Sequence, residues 1–586
     1  MRESKPSAQT KSELSRRRFL KTSAIAGAAA WLPAFRISPA EATTCTPPPN
    51  FPNGIELFQQ AFENWSKGIV IDDLWTCAPR TPQECVTVVN WAASQGWKVR
   101  PRGAMHNWSP IHVTADTTCN DKVLLLSTTE YLTDVELMSG YATPAVRAQC
   151  GMLMEDLLEF LEIHDLGMTA VPAPGDVTVG GVLAIDAHGT AVPAVGESRK
   201  PGHTYGSLSN LILALTVIVW DKATNAYVLK TYNRSDRDCQ ALAAHLGRAF
   251  VIDAVLQVGE NCNLRCQSFT HITANEMLGP PGSKGRTVER YLNQSGRMEV
   301  IWFPFTEKPW LKVWTVSPKK PLLSREVTEP YNYPFSDNIP AEMEELARSL
   351  TRDNKQSTPV FGQMSYNVSV AGLAATQSAD IWGKSRNVLL YIKPSTLRVT
   401  ASGYAVVTRR NNVQRVIHDF AQQYKALVAS YEAQGEYPFN MPVEIRVTGL
   451  DDAADVDADP GARDVALSAI AAHRDHPEWD VAVWFDCLSF VGTEKADEFN
   501  AVMEQWFHSH FNPSDALVRP EWSKGWGYTA SGAWTNGAYI SQTIPDAHTQ
   551  GMHKHDQWNT AINRLDNLDP ARVFSNDFID QLMQTR

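Results

Sequence analysis

Pro101-Arg102-Gly103-Ala104-Met105-His106-Asn107-Trp108 is the stretch on which the reading of this 586-residue chain turns. Just upstream, Thr81-Pro82-Gln83-Glu84 has the form of a capping box with proline at the first helical position. The pattern predicts a helix to about Gln95, a stop at Gly96 and a short strand over residues 97–100. The octapeptide then occupies the loop at the carboxyl end of a strand, where α/β proteins place ligands. Gly103 lets the backbone approach an anion closely, Arg102 adds positive charge and His106 brings one imidazole. Taken alone, the same residues also describe a surface turn with a solvated histidine.

At this length two or more domains are expected, around at least one large core. The composition, 43% hydrophobic and 20% charged, is that of an ordinary globular protein, and the 18 tryptophans suit a large core. A net charge of −11 argues against nucleic acid as a partner. Residues 1–42 read as a twin-arginine export signal. Ser15-Arg16-Arg17-Arg18-Phe19-Leu20-Lys21 is followed by a short apolar run and by Ala40-Glu41-Ala42, a small-x-small cleavage site. That route carries folded proteins, which suits a cofactor inserted before export to the periplasm or beyond. Nine cysteines cannot all pair. Cys262 and Cys266 read as a disulfide or as two inert thiols, and no metal site is expected. His548, His553 and His555 read as a solvated loop.

A second glycine-rich segment runs from Pro172 to Thr190. Its Gly180-Gly181 pair opens a short apolar helix, an arrangement that can aim amides at a phosphate or simply pack a helix tightly on a strand. Strand-like runs are read over 122–127, 211–220 and 250–258, and a helix over 152–164 with Leu153, Leu157, Phe160 and Leu161 on one face. Beyond about Arg265 the character changes. Strands are expected over 297–305, 387–392 and 481–490, and helices over 341–350, 411–433 and 494–507.

Jointly, Arg102-Gly103-x-x-His106-Asn107, Asp176-x-Thr178-x-Gly180-Gly181, His188-Gly189-Thr190 and Gly206-Ser207-Leu208-Ser209 resemble the vanillyl-alcohol-oxidase type of flavoprotein. The resemblance implies an α+β, two-domain fold of the PCMH type: an FAD domain over 43–264, a mixed-sheet substrate domain over 265–540, and a segment over 541–586 packing back on the first. It implies an FAD site formed by Arg102, Gly103, Ala104, Met105, His106, Asn107, Pro174, Asp176, Thr178, Gly180, Gly181, His188, Gly189 and Ile252, with the pyrophosphate on the 102–107 loop and the Gly180-Gly181 turn. It also implies a covalent flavin through His106, whose neutral imidazole is a competent nucleophile.

In the second half, Met441-Pro442-Val443-Glu444-Ile445-Arg446-Val447 alternates as a half-buried strand that puts Glu444 and Arg446 on one face. An exposed ion pair would contribute little there. The resemblance gives Glu444 and Arg446 a place facing the flavin, where a guanidinium stabilises negative charge. Glu299, ahead of an apolar strand, Lys524 in Glu521-Trp522-Ser523-Lys524, and Asp486, a polar residue in an apolar run, complete the catalytic candidates. Within the type, the chain is most similar to the covalent-flavin (class II) cholesterol oxidases. That implies oxidation of a 3β-hydroxysteroid such as cholesterol, dioxygen as second substrate with peroxide as product, and isomerisation with Glu299 or Glu444 moving the proton. It also implies a monomer in at most transient contact with a membrane surface. An oxidase of polyols or sugar lactones on the same fold, and a flavin-binding protein without turnover, remain as alternatives. Pocket polarity separates the first two.

Overall fold

The computed structural model describes residues 45–336 and 341–585; the expected export signal lies outside them. The chain begins with β1 (Glu56–Glu63) and β2 (Val70–Ala78), then α1 (Pro82–Gln95), β3 (Lys98–Arg102) and β4 (Val123–Ser127). The start of α1 is built as its sequence dictates. Thr81 Oγ1 accepts from the Glu84 amide at 3.2 Å, while Glu84 reaches back to the amide of Arg80. Gly96 ends the helix at φ 69°, a conformation that glycine alone adopts freely. The strands form a sheet in the order β1-β2-β4-β3, with β3 and β4 parallel, so the chain leaves β3 at Arg102 straight into the 103–107 loop.

A second, antiparallel sheet follows. It is made of β5 (Val135–Met138), β6 (Ala145–Gln149), β7 (Ile212–Asp221), β8 (Ala226–Asn233) and β9 (Phe250–Gln257), in the order β5-β6-β9-β7-β8. Between β6 and β7 lie α2 (Met154–Ile163) and the six-residue α3 (Val179–Ala184).

The rest of the chain builds a nine-stranded sheet among the described residues. Its strands are β10 (Asn263–Phe269), β11 (Arg297–Trp302), β12 (Trp310–Val316), β13 (Arg325–Glu326), β14 (Asp380–Lys384), β15 (Thr400–Thr408), β16 (Val443–Gly449), β17 (Val481–Ser489) and β18 (Ala516–Pro520). Their order is β13-β14-β10-β12-β11-β16-β17-β15-β18. All pairs are antiparallel except β13 with β14 at the edge. The long helices Val413–Glu432 and Ala496–His510 pack their apolar faces on it, with Phe420 stacked on Phe485 at 4.2 Å.

Residues 558–583 return to the first region. The Val99 amide donates to Val573 O at 2.9 Å, and Asp569 accepts from buried Arg248 and from Tyr227. Arg100, buried in the middle of β3, donates to the carbonyls of His112 and Gly247 and also to Ile111 and Phe574. One guanidinium thus ties the root of the 103–107 loop to three other segments, and its burial is tolerable because carbonyls meet its donors.

Two expectations are corrected here. Residues 387–392 do not form a strand; Ser385–Leu389 is a single helical turn, started by the Ser385 amide on Cys262 O and held by Trp314 Nε1 on Val388 O. A short apolar run fits either period, and here tertiary bonds decide. His548 is buried and stacked on Trp522 at 4.9 Å, so it is no part of a solvated loop. Cys262 and Cys266 are free, buried thiols.

Candidate active site

Two adjoining cavities, of about 150 and 210 Å³, meet where His106, Val177, Val182 and Ile185 wall both. The smaller is lined by Gly103, Ala104, Met105, His106 and Asn107 from the loop after β3, by Thr178, Gly180 and Gly181 from α3, and by Val251 from β9. Among the described residues no acceptor meets the amides of Gly103, Ala104, Met105, His106 or Asn107. Met105 sits at φ 56°, turning the loop sharply. A run of unspent N–H donors at a sharp turn is an anion-binding concavity. Gly103 is required there, because a Cβ on it would lie 2.3 Å from Thr178 Oγ1.

The first-turn amides of α3, by contrast, are spent. Val179 donates to Met152 O, Gly180 to Cys150 O, and Gly181 to the capping Thr178 Oγ1. The Gly180-Gly181 pair therefore serves packing, since a Cβ on Gly180 would press on Cys150 at 2.8 Å, and the anion site belongs to the 103–107 loop alone.

His106 stands at the junction of the cavities. Its ring stacks on Trp65 at 3.8 Å, and its Nδ1 is buried with no partner among the described residues. Burial, with Lys524 and Arg398 nearby, pushes its pKa down to about 3, so the ring is neutral at any ordinary pH. Trp108 fixes the loop to the strands of the nine-stranded sheet: its amide donates to Ser523 O, just after β18, and its indole to Val399 O, just before β15, at 2.8 Å.

The larger cavity has apolar walls from Val171, Pro174, Leu389, Ile392, Leu397 and Leu488. At one end it meets a row of charge. Lys312 on β12, Glu299 on β11, Arg446 on β16 and Trp484 on β17 are successive cross-strand partners. Glu444 and Asp486 face each other in the next row but one. Arg446 donates to Glu299 Oε1 at 2.8 Å, to Asp486 Oδ2 at 2.7 Å and to Glu444. Tyr391 donates to Glu299 Oε2 at 2.6 Å, and the Lys312 ammonium lies 3.8 Å from that carboxylate and 2.9 Å from the centre of the Tyr391 ring. Lys524 comes within 3.9 Å of Asp486 and 4.0 Å of Glu521. Gly403 on β15 makes room for it; a Cβ there would meet Lys524 Cγ at 2.7 Å. His188 stacks on Trp484 at 3.7 Å, and burial pushes its pKa down to about 4.

The carboxylates differ in state. Burial works to raise Glu299, but Arg446 and Lys312 hold it below the usual range. Burial raises Glu444 and, together with its like-charged neighbours Glu299 and Asp486, prevails over the pull of Arg446 and Lys524. Burial and Glu521 push Asp486 up to about 7, against the pull of Lys524 and Arg446. Burial likewise pushes Lys312 down to about 8.

Residues 263–584 match the family described as "Cholesterol oxidase, substrate-binding", and residues 75–221 match an FAD binding domain. The chain belongs to the cholesterol oxidase family. Among solved structures, a solvent-stable cholesterol oxidase is 51% identical with a TM-score of 0.91, over 92% of this chain and all of that one. The cholesterol oxidase from B. sterolicum is 45% identical with a TM-score of 0.90 and the same coverage. A xylooligosaccharide oxidase from Myceliophthora thermophila, 12% identical with a TM-score of 0.53 over 89% of this chain and 94% of that one, shares the fold alone. L-Gulonolactone oxidases from Scyliorhinus torazame and Mus musculus are 26% and 27% identical over 42% of this chain. The chain spans about half the length of those curated relatives, 49%.

FAD is the cofactor of this fold, and the residues fit it: an elongated pair of cavities, five unspent amides at one end and an orphaned imidazole nitrogen between. Of the residues expected to bind it, Gly103, Ala104, Met105, His106, Asn107, Thr178, Gly180 and Gly181 line the smaller cavity, and Pro174, His188 and Gly189 the larger. Arg102, Asp176 and Ile252 line neither. Arg102 points its Nε at Met105 Sδ and gives its carbonyl to Thr128. The Ile252 side chain belongs to the core cluster of α1 and β4, because Val251 takes the cavity-facing register. Of the catalytic candidates, Glu444, Arg446 and Lys524 line the larger cavity of this cholesterol oxidase fold. Glu299 and Asp486 lie behind Arg446, almost without exposure. Lys312, Tyr391, Trp65 and Glu521 were not singled out from the sequence. Glu521 alone carried a signal, being three residues before Lys524.

Proposed function

We propose that this chain is an exported cholesterol oxidase, acting on the 3β-hydroxyl of sterols and isomerising the product to the conjugated ketone. The single observation that carries this reading is an apolar cavity closed at one end by Glu444, Arg446 and Lys524 in a chain of the cholesterol oxidase family. The aliphatic walls of Val171, Pro174, Leu389, Ile392, Leu397 and Leu488 suit a fused-ring hydrocarbon.

FAD, when bound, supplies the two-electron acceptor, taking hydride from the carbinol carbon and returning electrons to dioxygen as hydrogen peroxide. The chain's own residues do the rest. The 103–107 amides, which have no acceptor among the described residues, would hold the cofactor's pyrophosphate. Arg446 stabilises the negative charge that grows on the sterol O3, and Glu299, itself held by Tyr391 and Lys312, fixes its guanidinium. Glu444, raised by burial, is a base strong enough to take the hydroxyl proton; once it has passed that proton to solvent, the regenerated carboxylate takes a proton from C4 and returns it at C6. Its place in the cavity wall favours it over Glu299 for both steps. Neutral, unpartnered His106 supports a covalent link to the flavin.

Peroxide release from detergent-dispersed cholesterol and from sorbitol tests the activity. Turnover of cholesterol alone is expected, and peroxide from sorbitol alone would replace the sterol by a polyol. For the link, wild-type protein precipitated in acid is expected to be yellow and His106→Ala colourless; a colourless wild-type pellet overturns it. For export, Arg16→Lys with Arg17→Lys is expected to leave the enzyme in the cytoplasm.

A further inference from the structure

Leu322 and Leu323 are the two most exposed large apolar side chains among the described residues, at 96% and 89%. The other exposed ones, such as Ile163 and Val195, are scattered along the sequence. A lone leucine on a surface needs no explanation, whereas two adjacent ones held fully in water do. The turn that carries them is braced. The Ser324 amide closes it on Pro321 O at 3.2 Å, and buried Ser324 donates its hydroxyl to Asp380 Oδ1 at 2.8 Å. Asp380, on β14, is itself bonded by Arg265 from the neighbouring strand. Two prolines, Pro318 and Pro321, stiffen the approach. The leucines are therefore presented on a fixed support at the edge of the nine-stranded sheet.

Charge surrounds them. Lys319, Lys320 and Arg325 are exposed on either side, with Glu326, which pairs with Lys320 at 3.1 Å, and Glu329 as the exposed acids nearby. An apolar tip with a basic collar is the chemistry of a surface that inserts shallowly into phospholipid while its cations meet anionic headgroups. The collar stands out on a chain with a net charge of −11. The segment also leads to the active site. Arg325 lies over the Tyr331 ring at 4.9 Å, Tyr331 is 5.1 Å from Tyr333, and Tyr333 is 6.4 Å from Tyr391 in the cavity wall.

We propose that the Pro321-Leu322-Leu323-Ser324 turn docks the protein on an anionic phospholipid bilayer. This deepens the sterol reading and rests on it for its purpose, since cholesterol is held in such bilayers, but the binding itself is separable. The test is co-sedimentation of the full-length holoenzyme with sterol-free vesicles, either of phosphatidylcholine alone or with added phosphatidylglycerol. Wild type is expected to sediment with the anionic vesicles. Leu322→Ser with Leu323→Ser is expected to weaken binding by about 10- to 100-fold, because the partial burial of two leucines in lipid is lost. Lys319→Glu with Lys320→Glu is expected to weaken binding to anionic vesicles by at least about fivefold for each lysine removed. Because both positions of each pair are exposed, folding is not at issue, and peroxide release from detergent-dispersed cholesterol should stay at the wild-type level while turnover of vesicle cholesterol falls. Wild type that ignores anionic vesicles overturns the proposal, as does a leucine variant that binds like wild type. So does a wild-type dimer in gel filtration that the leucine variant converts to monomer, which would make the turn a contact between copies. Failure to oxidise dispersed cholesterol would sink the sterol reading and leave the vesicle result standing.

Discussion

The 103–107 loop and the charged row on the nine-stranded sheet face the same pair of cavities but are built on opposite plans. The loop holds unspent donors: five amides without acceptors and a histidine kept neutral by burial. The row is saturated, with Arg446 bonded to three carboxylates and Glu299 met by an arginine, a tyrosine and a lysine. A region with unspent donors is made to receive a group from outside. A saturated one is made to hold its own charges in fixed states, so that a small change in one carboxylate is felt by the rest.

Breaking the row should cost most. Arg446→Ala leaves two buried carboxylates, Glu299 and Asp486, and the half-buried Glu444 without their common partner, and a loss of about 3–5 kcal/mol in stability is expected, read as a fall in denaturation midpoint. Turnover should fall by about 100-fold or more, because the charge growing on O3 loses its stabiliser. Next comes Lys312→Met, which leaves Glu299 to Arg446 and Tyr391 alone; a roughly tenfold lower kcat with little change in KM would mark it as a residue that positions Glu299. Breaking the loop should act on cofactor rather than on charge. Gly103→Ala drives a methyl into Thr178, and about 1–3 kcal/mol of strain should appear as a lower flavin-to-protein absorbance ratio.

A pH titration sharpens the contrast. Asp486 is raised from the usual carboxylate range to about 7, so between about pH 4 and 7 the folded protein holds a proton that the unfolded chain has released. Stability should therefore decline as pH rises through that window, and the kcat profile should bend near 7. Asp486→Asn should remove the bend, while a profile unchanged in that variant would assign it to another group. The loop histidine gives no such inflection, having titrated far below. The smallest effect expected is that of Tyr391→Phe, about 1 kcal/mol from one lost hydrogen bond, read as a few-fold fall in kcat.

The parts of this molecule legible in the sequence are those written in local rules. The capped helix after Thr81, the alternation of Glu444 and Arg446, and the glycine at 103 each follow from neighbours a few residues apart. What escaped depends on cross-strand register and on competition for donors. Nothing in Gly180-Gly181 says that Cys150 and Thr178 will consume its amides. Lys312 reads as one lysine in an apolar strand until the sheet order sets it beside Glu299. The shift from Ile252 to Val251 is one residue of register, enough to turn a side chain from the cavity to the core. Residues 387–392 failed because an apolar run of that length has no period of its own.

The return of residues 558–583 to the first region bears on how the molecule is made. The Val573 carbonyl completes the pairing of Val99, and Asp569 neutralises Arg248 beside the strand that supports the cofactor loop. During synthesis on the ribosome, the amino-terminal region emerges several hundred residues ahead of these partners. A chain cut before residue 558 would leave the Val99 amide and the buried Arg248 guanidinium without these partners, so the two ends of the sequence stand or fall together.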